Sequence, residues 1–454
     1  MKKRILQMTA ILTAVMMLSA GCRAGRGVDP VLPLSSEAQS GPEEIRTEAE
    51  IPENNAKEGY SVNLTEGKGG EAVEVSAPTT SETAGLGEAS FALLSRLLSD
   101  AEQNENVLIS PLSVFMALGM TENGADGETL KQMEKYVNGG IGLQQMNAVM
   151  AFYRQKMNAS ENVSWNIANS LWIKDDGNIN PKEEFLNHTV DYYGAEVYKA
   201  AFNQGTVDDI NGWVKNNTDE MIPEILDQIP TNAFMYLVNA TAFEGSWADA
   251  FTDSGIKEDY DFTNANGSTS KVTMMQGGAN GYFELAGGTG FVKNYAGGEY
   301  AFVGILPKKG QSTKEYIDSL MKKKDDFSKA VREAEGGEII IKLPKFENDY
   351  EADLAKTYQQ LGMDHPFSDS ADFTKMLENS NGDERIGRIL HKTHIEVDQN
   401  GTKAAAATVV EMRFKSMIPV GDVKHVDLDR PFVYAIVDTE TGIPVFIGCQ
   451  NEIK

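Results

Sequence analysis

The spacing of hydrophobic residues varies along the chain. Residues 91–98 have apolar side chains at helical intervals, and residues 112–120 form another apolar, helix-favouring segment. Other segments are short and apolar or alternate between apolar and polar positions, which predicts strands. Because helices dominate the first half and strands the second, the pattern predicts an α+β fold. The predicted strands cover residues 106–111, 163–174, 234–242, 301–306, 339–344, 431–437 and 444–448, and a further helix covers residues 210–226 with an interruption at Pro223.

The segment of residues 401–416, GTKAAAATVVEMRFKS, has a composite pattern. Its four alanines alone would favour a helix. The β-branched residues that follow, from Thr408 to Val410, favour a strand instead. From Thr408 onward the even positions are apolar and the odd positions mostly polar, and no proline interrupts residues 401–418. Residues 401–415 are therefore predicted to be an exposed bait that can insert into a sheet as a strand, with even positions facing inward.

The N-terminal pattern predicts an export signal. Basic residues precede an apolar run at residues 5–18, which is too short for a membrane-spanning helix. Small residues then lead to Cys22, as in a bacterial lipobox, so residues 1–21 are predicted to be a lipoprotein signal peptide. Lipidated Cys22 would anchor the chain at the extracellular face of the cell membrane. An ordinary cleaved signal peptide is the alternative.

Composition separates two further regions. Residues 22–85 are rich in Glu, Gly, Ser, Pro and Thr, which predicts a disordered acidic linker after Cys22. The folded domain is then expected to occupy residues 86–454. The net charge of −26 argues against nucleic acid as a partner. Cys449 is the only other cysteine, so no intrachain disulfide is expected once Cys22 is lipidated.

The chain carries one short pattern that could suggest a metal site and lacks the common catalytic motifs. His391 and His394 form an H-x-x-H pattern, but a strand would place them on opposite faces, so no shared metal ion is expected. The chain has no G-x-S-x-G, H-E-x-x-H, P-loop or dinucleotide motif. We therefore expect no enzyme activity and no cofactor, although a catalytic triad assembled from distant residues stays open.

Residues 391–408, HKTHIEVDQNGTKAAAAT, resemble the strand and hinge that lead into the reactive-centre loop of the serpin family. The resemblance covers nearly all of residues 87–454 and implies the serpin fold, with three β-sheets, about eight or nine helices and an exposed loop. Other matching motifs are INGWV (210–214), LVNA (237–240), FEGSW (243–247), VTMMQ (272–276), LPKF (343–346), PF (431–432) and VFIG (445–448).

The resemblance implies a suicide-substrate inhibitor of serine proteases, expected as a monomer that forms a covalent complex with its target. Counting from the hinge glycine places the reactive bond at Lys415-Ser416, which suits trypsin-like proteases. A shifted register would select Phe414, Arg413 or Met412 instead. The hinge residues implied by the resemblance are Gly401, Thr402, Lys403, Ala404, Ala405, Ala406, Ala407 and Thr408.

Other residues match family positions beneath the loop. Trp247 matches the tryptophan of the breach, where insertion begins. Lys403 stands where glutamate is usual, and Glu244 stands where lysine is commoner. Since Lys403 is predicted to face solvent, its exchange is expected to have little effect. The residues that match the polar shutter under the main sheet are Ser110, Ser113, Asn239 and His391.

Two other functions are compatible with the sequence. A non-inhibitory serpin would act as a carrier or binding module, but such relatives tend to have bulky, charged or proline-containing hinges. A hydrolase would need an assembled nucleophile. The identity of the target protease, its origin in a host or in the cell itself, and inhibition of cysteine proteases stay open.

Overall fold

The structure is a computed structural model that describes residues 61–454 apart from 176, 178, 230–232, 324–325, 380–383 and 403–421. Its described ranges contain nine α-helices and three sheets, so the predicted α+β class, with three β-sheets and about eight or nine helices, is confirmed. The helices are α1 (Thr80–Asp100), α2 (Pro111–Glu122), α3 (Gly127–Tyr136), α4 (Leu143–Ala159), α5 (Glu183–Tyr193), α6 (Gln204–Asn217), α7 (Thr313–Lys323), α8 (Phe327–Arg332) and α9 (Leu354–Leu361). None of these helices is long and apolar enough to cross a membrane.

Seven strands form the largest sheet, which carries the candidate site. In spatial order they are β1 (Val62–Asn63), β4 (Glu196–Ala200), β3 (Val163–Lys174), β5 (Met235–Ser246), β14 (Gly401–Thr402), β13 (Arg388–Val397) and β12 (Phe346–Asp353).

The other two sheets complete the framework. The six-stranded sheet contains β2 (Val107–Ile109), β17 (Pro444–Gln450), β16 (Phe432–Asp438), β10 (Tyr300–Leu306), β9 (Gly288–Asn294) and β8 (Gly281–Leu285). The four-stranded sheet contains β15 (Lys424–Asp427), β11 (Ile339–Pro344), β7 (Thr269–Gly278) and β6 (Ile256–Thr263).

Helix α2 lies at the centre of the molecule. Every residue from Pro111 to Glu122 is buried, so the helix is surrounded by protein on all sides. Pro111 starts it favourably, because the first helical position needs no backbone donor. The helix packs against β3, β5 and β17 and thereby places Ser110 and Ser113 beneath the largest sheet.

A second, smaller hydrophobic core covers part of the outer face of that sheet. Side chains of β3, β5 and β13, including Trp172, Val238 and Leu390, pack against Ile210 and Val214 of α6. Alternate residues of these strands face the main core on the other side. Both faces of the central strands are therefore covered along part of their length.

One predicted helix is wrong in its extent. Helix α6 ends at Asn217, six residues before the interruption at Pro223 that the sequence pattern predicted. Asp219 and Glu220 have φ angles of 48° and 62°, which are left-handed values that end a helix. The apolar residues beyond them, Ile222 and Ile225, reach the second core from an irregular chain.

The predicted linker of residues 22–85 also differs from the structure where it is described. Val62 and Asn63 pair with β4, and the backbone of Gly70 donates to Asp191. Thr79 and Glu82 form a capping box, so α1 begins at Thr80, six residues before the predicted domain boundary. Edge pairing and capping supply backbone partners that composition does not reveal. Residues 22–60 lie outside the described residues.

Candidate functional site

An opening between β5 and β13 is the main feature of the seven-stranded sheet. These strands pair directly and in parallel from Arg388↔Tyr236 to His394↔Ala242. Beyond that point β14 lies between them, antiparallel to both, with Thr402 opposite Gly245 on one side and Val397 on the other. The two residues that precede residues 403–421 therefore already form a short strand in the middle of the sheet.

A tight turn directs the chain from β13 into this opening. The Asp398 carboxylate accepts hydrogen bonds from the backbone N–H groups of Asn400 (2.7 Å) and Gly401 (3.1 Å). The Asp398 N–H in turn donates to the Gly401 carbonyl at 2.9 Å. An aspartate that binds the backbone two residues on is typical of such turns. The turn reverses the chain so that Gly401 enters antiparallel to β13.

Trp247 holds the turn from the side of β5. Its backbone N–H donates to the Asn400 carbonyl at 2.8 Å and its indole Nε1–H to the Asp398 carbonyl at 2.9 Å. Its ring stacks on Tyr295 with centroids 4.7 Å apart, and the Tyr295 hydroxyl lies 2.5 Å from the hydroxyl of buried Thr402. Trp247 therefore lies at the mouth of the opening, in contact with both the turn and Tyr295.

Lys293 is a member of this site that the sequence analysis missed. It is only 2% exposed, and its Nζ donates to the carbonyls of Asp249 (2.7 Å) and Gly278 (3.2 Å). The same ammonium lies 4.5 Å from the Phe251 ring centroid and 5.6 Å from that of Trp247. Burial lowers the pKa of Lys293 to about 8. An isolated lysine on a strand gives no sequence signal of such contacts.

A buried polar network lies deeper under the same strands. Asn239 of β5 stands directly opposite Asn169 of β3 and His391 of β13. Its amide nitrogen donates to the side-chain oxygen of Asn169 at 2.5 Å, to the backbone carbonyl of Ser113 at 3.1 Å and to the Ser113 hydroxyl. Its own side-chain oxygen contacts His391 Nδ1. The network therefore links α2 to three adjacent strands, and Asn169 is a member that the sequence analysis did not name.

The contacts of His391 determine its tautomer. The backbone N–H of Ser110 donates to His391 Nε2 at 3.2 Å, so the ring proton is on Nδ1 and points to Asn239. Burial lowers the pKa of His391 to about 3 and keeps the imidazole neutral. The Ser110 hydroxyl donates instead to the Val445 carbonyl at 2.7 Å. Ser110 and His391 are thus not arranged as a nucleophile and its base.

His394 lies on the opposite face of β13, as the strand periodicity predicted. Its Nδ1 is 2.8 Å from the Asp349 carboxylate, and Glu347 completes a set whose potential ligand atoms lie within 4.8 Å of one another. Both carboxylates are exposed. Since the His394 nitrogen already has Asp349 as its partner, we assign no metal ion to this set.

Several predicted site residues lie outside the described residues, namely Lys403, Ala404, Ala405, Ala406, Ala407, Thr408, Lys415, Ser416 and Cys22. Of the predicted hinge, Gly401 and Thr402 are described, and both are buried. Ser110, Ser113, Asn239 and His391 meet in one network, and Trp247 lies above it at the mouth of the opening.

Comparisons with known proteins agree with this architecture. A family model described as "Serpin (serine protease inhibitor)" matches residues 86–452. The native-state structure of the thermophilic serpin tengpin is 38% identical, with a TM-score of 0.79, and the match covers 87% of this chain and all of that chain. Neuroserpin of Gallus gallus is 29% identical over 378 residues, which are 77% of this chain and 87% of the relative. Human thyroxine-binding globulin, at 23% identity and a TM-score of 0.72, covers 83% of this chain and all of its own, and shares the fold.

Proposed function

The chain belongs to the serpin family, and we propose that it inhibits serine proteases as a suicide substrate. The observation that carries the proposal is the position of β14 between β5 and β13. Thr402 is the last residue of the proposed bait that is described before residues 403–421, and it already has a strand partner on each side. A chain that continued from it along the opening would gain a ladder on both edges.

The proposed reaction begins with an ordinary proteolytic attack. The serine of the target protease attacks the Lys415 carbonyl, the peptide bond to Ser416 breaks, and the amine of Ser416 leaves with a proton. Lys415 is then held to the protease through an ester. If the freed loop enters the sheet before water hydrolyses this ester, the protease is carried along and its active site is distorted. Inhibition therefore depends on insertion being faster than deacylation.

Lys415 is the proposed specificity residue because its ammonium group suits the buried carboxylate of trypsin-like pockets. Incubation of the protein with trypsin, chymotrypsin and elastase tests the function. We expect an SDS-stable complex with trypsin, and a released C-terminal peptide that begins at Ser416. A peptide that begins one to three residues earlier would move the reactive bond to Phe414, Arg413 or Met412.

The same incubation separates the alternatives. Clean cleavage without a complex for all three proteases would overturn the inhibitor proposal and favour a carrier or binding module. Turnover of a test ester or peptide by the protein itself would indicate an enzyme.

We also propose that the folded part acts as a monomer attached through Cys22 to the extracellular face of the cell membrane. A basic and apolar N-terminal segment that ends in small residues and cysteine supports this location. Cys22→Ser should abolish incorporation of labelled fatty acid in a bacterial host and release the protein from the membrane fraction. Unchanged labelling of the variant would contradict lipidation at Cys22.

A further inference from the structure

A short irregular segment after β5, residues 247–251, holds the turn at the mouth of the opening. We call this segment the clasp. The backbone N–H groups of Trp247 and Phe251 donate to carbonyls of the turn at 2.8 and 3.0 Å, and the Trp247 indole donates to a third carbonyl at 2.9 Å. The acceptors are, in the same order, Asn400, Gln399 and Asp398. The path of the chain into the opening therefore depends on where the clasp lies.

The clasp has little regular structure of its own, so contacts with other segments must fix its shape. These contacts come from the end of β9. The Asn294 carbonyl accepts a hydrogen bond from the Ala248 N–H at 3.0 Å, and the Tyr295 ring stacks on Trp247. The third contact is made by Lys293.

Lys293 contacts the beginning, the middle and the end of the clasp with one ammonium group. Its Nζ donates to the Asp249 carbonyl at 2.7 Å and lies 5.6 and 4.5 Å from the ring centroids of Trp247 and Phe251. A cation over an aromatic ring is attracted to it. A further hydrogen bond, to the Gly278 carbonyl at 3.2 Å, joins the clasp to the end of β7.

A buried ammonium group is costly at this position, because an apolar side chain would fill the same space without losing hydration. Lys293 is 2% exposed, and its hydrogen-bond acceptors are neutral carbonyls. Burial lowers its pKa, and the Asp249 carboxylate offsets part of this effect. The Phe251 ring is itself fixed against β7, where a Cβ atom on Gly277 would lie 2.8 Å from it. The buried charge therefore points to a use of its contacts with the clasp.

We propose that Lys293 is a positioning residue for loop insertion, because it holds the clasp and the clasp holds the turn at residues 398–400. In this position the turn leads Gly401 and Thr402 between β5 and β13. The inference rests on the proposed function, since it concerns how insertion begins.

A loose clasp would slow one step of the proposed reaction and spare another. When the turn is already held, it does not have to be ordered while the loop enters the sheet, so insertion is faster. Attack of the protease on the reactive bond does not involve the clasp. Loss of Lys293 should therefore increase the share of acyl-enzyme that is hydrolysed before insertion and leave the rate of attack unchanged. A residue that only stabilised the fold would not change this share.

Three variants of the full chain test the proposal. Lys293→Met removes the charge and the donors but keeps an unbranched side chain. Phe251→Leu removes the ring beside the ammonium group, and it decides the test in the same way if Lys293→Met does not fold. Lys156→Met is the matched control, because Lys156 of α4 is also largely buried and loses ion pairs with Asp438 and Glu440, both at 2.9 Å.

Hydrogen exchange of the intact proteins tests the positioning without a protease. We expect the amides of residues 247–251 and 398–402 to exchange about ten times faster in Lys293→Met than in the wild type, and about three times faster in Phe251→Leu. Lys156→Met should exchange at the wild-type rate in both segments.

Incubation with trypsin tests the consequence for insertion. The number of protein molecules consumed for each trypsin inactivated should rise at least about threefold for Lys293→Met, while the rate of loop attack stays within about twofold of wild type. Wild-type exchange or wild-type consumption in this variant, or an equal shift in Lys156→Met, would overturn the positioning role while the proposed inhibition stands. If the wild-type protein forms no complex with trypsin, chymotrypsin or elastase, the proposed function itself fails, whatever the exchange rates.

Discussion

At residue 401 the chain passes so close to β5 that no side chain fits. A Cβ atom on Gly401 would lie 2.1 Å from the Gly245 carbonyl oxygen and 2.8 Å from the Ser246 Cα. Backbone atoms of a central strand cannot move aside cheaply. The requirement for glycine therefore comes from close approach to the sheet.

Thr402 is the first hinge residue at which the effect of a large side chain can be tested by substitution. Its side chain is fully buried beside Tyr295, and a charged group there would lose its hydration without a partner. Under the proposed function, Thr402→Arg should slow insertion and make the protein a substrate of the protease, so that at least about ten times more protein is cleaved per complex formed. Gel quantification of complex and cleaved product measures this ratio. Thr269→Arg is the control, because Thr269 lies at an exposed position of β7, and it should behave as wild type. An SDS-stable complex of Thr402→Arg at wild-type yield would contradict the prediction.

Glu122 is a buried carboxyl whose charge state depends on the fold. Its Oε2 accepts from Asn138 at 2.8 Å, and burial raises its pKa from 4.5 to about 8. The folded state therefore binds the proton more tightly, and the free energy of unfolding falls as pH rises from about 4.5 to 8. The Glu122→Gln variant has no carboxyl group to ionise at this position. Its free energy of unfolding should therefore fall less than that of the wild type over this pH range, by on the order of 2–4 kcal/mol.

Denaturant unfolding at pH 5 and pH 8 measures that difference. Glu128→Gln is the control, because Glu128 is exposed on the neighbouring helix α3. An equal pH dependence for wild type and Glu122→Gln would show that Glu122 is ionised in the folded protein.

At the level of elements, one amide joins a helix and three strands. Asn239 contacts Ser113, Asn169 and His391, which come from α2, β3 and β13. Direct pairing of β5 with β13 at this depth keeps the sheet closed below β14. Any strand that enters the opening must separate Asn239 from His391 before it can reach the lower half of the sheet.

Asn239→Ala should weaken this closure. The change leaves the Nδ1–H of His391 and the side-chain oxygen of Asn169 buried without their present partner, at a cost of about 2–4 kcal/mol in the free energy of unfolding. Chemical denaturation measures the loss. Asn217→Ala is the control, because Asn217 is exposed at the end of α6. If both variants lose an equally small amount of unfolding free energy, the network does not stabilise the sheet.

At the scale of the whole molecule, the proposed function requires that the intact fold is not the most stable arrangement of the chain. Insertion of about 10 further residues would add hydrogen bonds on both edges of a new strand. Cleavage in the loop should therefore raise the unfolding temperature by about 10 °C or more. Thermal unfolding by circular dichroism before and after limited chymotrypsin digestion measures the change. An unchanged or lower temperature would contradict loop insertion.

Much of the fold is predictable from local pattern. The strand at residues 163–174 has the bounds predicted for it, and the C-terminal hairpin of β16 and β17 is where its apolar runs predicted it. The opposite faces of His391 and His394 also follow from periodicity alone. The early start of α1 and the end of α6 were not predicted, because a capping box and two left-handed residues outweighed composition and apolar spacing there.

The sequence by itself determined the class of fold and the faces of its strands, because both depend on the spacing of residues a few positions apart. It also determined the family, because the matching motifs follow one another in the expected order along the chain. Only the tertiary structure decided which distant residues meet. Ser110 and His391 are 281 positions apart, and Trp247 and Asp398 are 151 apart. Such contacts depend on how the strands are ordered across the sheet. That ordering places β14 in the opening between β5 and β13.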